Sequence, residues 1–139
     1  MKPLVRLAIL GFGICLASPP IVAHHAFSAD FDINKPVKVQ GIVTKIEWTN
    51  PHVWMYLNVK DEAGNVTNWG FEMGAPHQLQ GRGWTRDLVK LGDELAVEGH
   101  RAKDASPRMN GRIVTMVKTG QRLGAAGSNP QQSEAPATP

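Results

Sequence analysis

The chain has 139 residues, with 15 Lys or Arg against 12 Asp or Glu, five His and one cysteine. A formal charge of +3 is too small for the basic footprint of a nucleic-acid or anionic-lipid binder. A lone cysteine also excludes an internal disulfide and a thiolate metal cluster.

Lys2 and Arg6 precede an apolar run, Leu7 to Ala17, and the turn-prone SPPIVA that ends at Ala23. That order predicts a secretory signal peptide over residues 1–23, cut after Ala23, because the run is too short to remain as a membrane anchor. Cys15 sits inside the run behind Ile14, where a lipidated cysteine needs a small neighbour, so it is not read as a lipid attachment point. Cleavage removes Lys2, Arg6 and Cys15, which leaves 13 basic residues against 12 acidic ones and no cysteine. The expected product is a periplasmic protein with no membrane anchor and no affinity for nucleic acid.

Residues 24–35 read as an N-terminal arm, 36–123 as one folded domain, and 124–139, built from Gly, Ala, Ser, Pro and Gln, as a disordered tail. Val37 to Trp48 reads as a long strand whose inward parity switches at Gly41, since Val37 and Val39 alternate on one face and Ile42, Ile46 and Trp48 on the other. Val53, Met55, Leu57 and Val59 alternate with His52, Trp54, Tyr56 and Asn58, and DEAGN at 61–65 turns the chain into a strand over Val66 to Met73. One or two helical turns follow, with Leu79, Trp84 and Leu88 inward, and then strands at Glu94 to Lys103 and Arg112 to Lys118. Three strands, a short helical link and two strands predict an all-β fold, a five-stranded OB-like Greek-key barrel. In that barrel the outer face of the second and third strands is the ligand side.

His52, Trp54 and Tyr56 share that outer face, beside Asn50. The aromatic pair is a platform for a ligand or partner, or is covered by the arm through Phe27 and Phe31. Cleavage after Ala23 would place a free amine on His24, next to His25. An amine and its own imidazole can grip one ion, and a thiolate-free nitrogen set suits Cu(II). The arrangement is similar to the histidine brace of copper-dependent monooxygenases and periplasmic copper chaperones. The candidate ligands are therefore His24 with His25 or His52, and His77 and His100 are expected to face solvent. No phosphate loop, HExxH, dinucleotide fingerprint or nucleophile elbow is present.

The segments HHAFSADFD, GIVTKIEWTNPHVWMYLNV, NWGFEMG and RGWTRDLVKLGDELAVEGHRAKD resemble the exported bacterial proteins of domain-of-unknown-function family 6152. The resemblance implies a small periplasmic β-barrel and no established activity. Three roles are compatible with these residues. One is a non-catalytic Cu(II)-binding protein. The second is a metal-free module docking an envelope partner through Trp54 and Tyr56. The third is an accessory subunit or enzyme for a small substrate, which a buried pair among Glu47, Glu72 and Glu98 beside a pocket would favour.

Overall fold

The computed structural model describes residues 29–127. The expected signal peptide, His24, His25, Phe27 and the tail from residue 128 lie outside them. The chain runs β1 (Phe31–Glu47), β2 (Trp54–Lys60), β3 (Val66–Glu72), α1 (Pro76–Gln80), β4 (Glu94–Ala102), β5 (Arg108–Met116) and β6 (Arg122–Gly124). The fold is mostly β with one short helical link, as the alternating pattern requires.

One sheet holds all six strands in the order β3-β2-β1-β4-β5-β6, and an additional β3–β5 pairing closes five of them into a ring. That closing contact is parallel, whereas the other pairings are antiparallel. Closure removes the long open edges that invite pairing with another chain.

β1 makes the ring possible by serving two neighbours. Phe31 to Ile42 pairs with β4, Ile42 to Glu47 pairs with β2, and Ile42 belongs to both ladders. The bend falls at Gly41, where a Cβ would stand 2.3 Å from the Asn58 carbonyl oxygen. Only glycine allows β2 to cross so close. The parity switch lies elsewhere. Val39 and Val43 are both in the core and Ile42 is 42% exposed, so alternation runs unbroken through Gly41. It breaks at a bulge between Val43 and Lys45, where the extra residue, Thr44, turns Ile46 back towards the core.

The core joins β1 to Met55 and Leu57 of β2, Phe71 of β3, Leu95 and Val97 of β4 and Met109 and Val114 of β5. Leu79 and Trp84, from the link, close it at 0% and 1% exposure. Burial of an aromatic or branched side chain contributes about 1.5–3 kcal/mol each.

Two elements extend beyond the strands read from the sequence. β1 begins at Phe31, inside the expected arm, and Phe31 pairs with Ala102 of β4. That pairing sets it beside β4, not across Trp54 and Tyr56. Residues 124–127, assigned to the tail by composition, are packed. Gly124 ends β6, and Ala125 and Ala126 are 0% and 2% exposed. Their backbone is stitched down by the Trp84 indole donating to Gly124 O at 2.8 Å, Gly74 N–H to Ala125 O at 2.8 Å and Ala125 N–H to Arg112 O at 2.7 Å. Small residues carry little hydrophobic signal, yet they allow this close backbone approach.

Candidate functional site

The outer faces of the ring strands are joined by one lateral row of side chains. Backbone register pairs Glu47 with Trp54, Trp54 with Glu72, Glu72 with Asn110, Asn110 with His100 and His100 with Pro36. The row leaves β1 at Glu47 and returns to β1 at Pro36, so it encircles the barrel. Directly paired residues point to one face.

Its first half is the face predicted from the β2 alternation. Trp54 and Tyr56 are half-buried, with ring centroids 6.4 Å apart and planes 24° from parallel. Gly70 lies opposite Tyr56, and a Cβ there would stand 3.1 Å from the Tyr56 ring, so the glycine is the floor on which the phenol rests. The Tyr56 hydroxyl donates to Glu47 Oε2 at 3.0 Å, while Lys45 Nζ lies 2.5 Å from Glu47 Oε1 and 5.1 Å from the Tyr56 ring centre. Burial, then the Glu47 hydrogen bond, push the Tyr56 phenol up, and the Lys45 and Tyr56 hydrogen bonds hold the Glu47 carboxyl down. Asn68 donates to Asn58 Oδ1 at 2.8 Å and to Thr44 Oγ1 at 3.0 Å on the same face.

His52, on the loop leading into β2, directs Nδ1 onto Glu72 Oε1. Its side chain is 40% exposed, whereas that of Glu72 is 16% exposed. Burial pushes the Glu72 carboxyl above the usual carboxylate range, while His52 pulls it back, and the Asp30 carboxylate adds to the rise. Asp30 therefore lies within electrostatic range of Glu72. A histidine with Nδ1 held by a carboxylate keeps Nε2 for another partner, and Nε2 has none among the described residues.

The second half of the row was not read from the sequence. His100 and Asn110 are each 6% exposed, the two buried polar side chains among the described residues. His100 was expected to face solvent. It is instead buried, with Pro36 and Asn110 as its paired neighbours on the flanking strands. Burial, then the Arg112 guanidinium, hold its imidazole pKa down, and Asp32 opposes them. Beside it runs a groove of about 380 Å³ lined by Val37, Lys38, Glu98, His100, Arg112 and Ile113. His77, by contrast, is exposed.

The structure brings His52, Trp54 and Tyr56 together on one face, leaves Asn50 exposed at the loop, and leaves His24 and His25 outside the described residues. No group of three or more His, Cys, Asp or Glu able to hold a metal occurs among the described residues. Glu47, Glu72 and Glu98 do not pair with one another. They contact Lys45 and Tyr56, His52, and Lys38 and Arg122, respectively. Glu72 as the partner of His52 was missed because they lie 20 residues apart and only the β2–β3 register joins them.

No curated protein and no solved structure matches the chain. A model of a family of unknown function, DUF6152, matches residues 13–112, from Gly13 in the N-terminal apolar run to Arg112 on β5. That stretch takes in β1 to β4, α1 and the whole row from Glu47 to His100, and the chain belongs to the DUF6152 family.

Proposed function

We propose that this chain is an exported, periplasmic, non-catalytic binding protein, an OB-like Greek-key barrel that holds Cu(II) on the outer face of β2 and β3. The observation that carries this reading is the His52–Glu72 pair. A histidine that ligates a metal through one ring nitrogen almost always anchors the other on a carboxylate or carbonyl, and Glu72 engages His52 Nδ1 in this way. Cleavage after Ala23 would create the amine of His24, and the five residues between His24 and Asp30 can span up to about 17 Å. Asp30 lies within electrostatic range of Glu72, and in this reading the tether carries the His24 amine and imidazole to this face, with His25 or His52 completing the site. Nitrogen donors without thiolate favour Cu(II), and the rings of Trp54 and Tyr56 would shield one side of the ion.

The test compares chain beginning at His24 with chain carrying one extra N-terminal residue. The reading predicts sub-micromolar Cu(II) affinity for the first and much weaker binding for the second. Equal affinities would remove the terminal amine from the site.

The half-exposed Trp54–Tyr56 pair favours a second reading, a metal-free module that docks an envelope partner. Trp54→Ala separates the two, because it abolishes docking by a partner whose capture is insensitive to chelator, while the nitrogen ligands for Cu(II) remain.

A further inference from the structure

The groove between β1, β4 and β5 lies on a different part of the barrel from the His52 face. Its volume of about 380 Å³ falls within the range of small-molecule sites. Lys38, His100 and Arg112 supply its basic groups, and Glu98 is its one carboxylate. Glu98 is already engaged by Lys38 at 3.3 Å and by Arg122 at 3.6 Å. Pro36 and Ile113 give the groove an apolar lining, while the Val37 side chain packs towards the core.

Its construction depends on a bulge. Glu98 pairs with Ile113 and Gly99 with Gly111, so Arg112 is the extra residue on β5. A bulge re-aims the side chain it carries, and here Arg112 lines the groove while its carbonyl is taken by Ala125 N–H at 2.7 Å. On the facing strand a Cβ at Gly99 would stand 1.9 Å from the Asn110 carbonyl oxygen, so the close approach of β4 and β5 requires glycine. Next to His100, Asn110 is buried and its Oδ1 accepts no hydrogen bond among the described residues.

We propose that this groove binds a small aliphatic carboxylate, its headgroup on the Arg112 guanidinium and its short hydrocarbon against Pro36 and Ile113. A guanidinium fork matches the two oxygens of a carboxylate, and the apolar lining selects an organic acid over a bare oxyanion.

The test titrates the full chain with butyrate, with butyramide and with inorganic phosphate, in chelator, while amide NMR shifts are followed. Butyrate is expected to give saturable shifts at Val37, Gly99 and Ile113, and butyramide none. Arg112→Gln should weaken butyrate about tenfold or more, the scale of a lost charge-assisted hydrogen bond. Arg112→Lys, which keeps the charge and loses the fork, covers the case in which the glutamine variant does not fold, and it should weaken butyrate severalfold. Absence of saturation, equal response to butyramide, or undiminished affinity in a folded Arg112 variant would overturn the site. Saturation by phosphate in place of butyrate would overturn the carboxylate assignment.

Discussion

Two stretches of the barrel exterior share β1 and differ in how their chemistry is built. The β1–β2–β3 face presents Trp54 beside Lys45, Glu47 and Tyr56, which engage one another, and the His52–Glu72 pair. The β1–β4–β5 face presents a groove shaped by a bulge, with a buried histidine and a basic lining. Each face carries a bulge, and the extra residue differs: Thr44 is small and leaves Trp54 and Tyr56 a half-open platform, whereas Arg112 is long and borders a groove. The first suits a ligand brought to a surface and the second suits a small molecule enclosed by it.

The sharpest way to break this comparison is to disturb the β4–β5 bulge. Gly99→Ala would force β4 and β5 apart at the Asn110 carbonyl, and a rigid backbone clash of this kind costs about 3 kcal/mol. Chemical denaturation should register that loss, with the groove residues shifting while Trp54 and Tyr56 keep their environment. Gly70→Ala on the other face is the milder counterpart. Its Cβ meets the Tyr56 ring at 3.1 Å, and a side chain yields more readily than a strand, so a cost of about 1 kcal/mol is expected. Equal costs for the two glycines would deny that the groove depends on close strand approach.

A smaller effect separates the faces by pH. His100 has its imidazole pKa held below the usual 6.5, so the folded state binds fewer protons than the unfolded state in that window. Its contribution to stability is complete above 6.5 and is lost as pH falls towards the folded value. The groups around it are Asp32 and Lys38 of β1, Glu98 of β4 and Arg112 of β5. Urea midpoints should therefore fall between pH 7.5 and 5.5 in the wild type and fall less in His100→Gln. Identical slopes would place the acid sensitivity elsewhere.

The same contrast explains what could be read from residues alone. Met55, Leu57 and Val59 announce the inner side of β2 by period two, and the DEAGN turn joins β2 to β3, so alternation alone assigns Trp54 and Tyr56 to the outer face. Gly41 announced the bend but not the bulge, because the extra residue, Thr44, carries no distinguishing chemistry. The groove was illegible for the same reason. Arg112 becomes a neighbour of His100 through a register fault that no local pattern encodes. Ala125 and Ala126 look like tail and behave as packing because their contribution is a lack of bulk. Glu72 stood among the candidate carboxylates, yet its link to His52 exists only through strand pairing.

Electron paramagnetic resonance of Cu(II)-loaded chain beginning at His24, wild type against His52→Ala, tests the central claim most directly. Coordination through His52 predicts a single wild-type signal whose nitrogen hyperfine pattern loses one imidazole in His52→Ala. A competition titration on the same samples should then show an affinity loss of at least the about 10–100-fold expected even for disturbing a ligand's anchoring partner. An identical spectrum and affinity in the two proteins would contradict it, and would leave the His52–Glu72 pair a structural contact of the barrel.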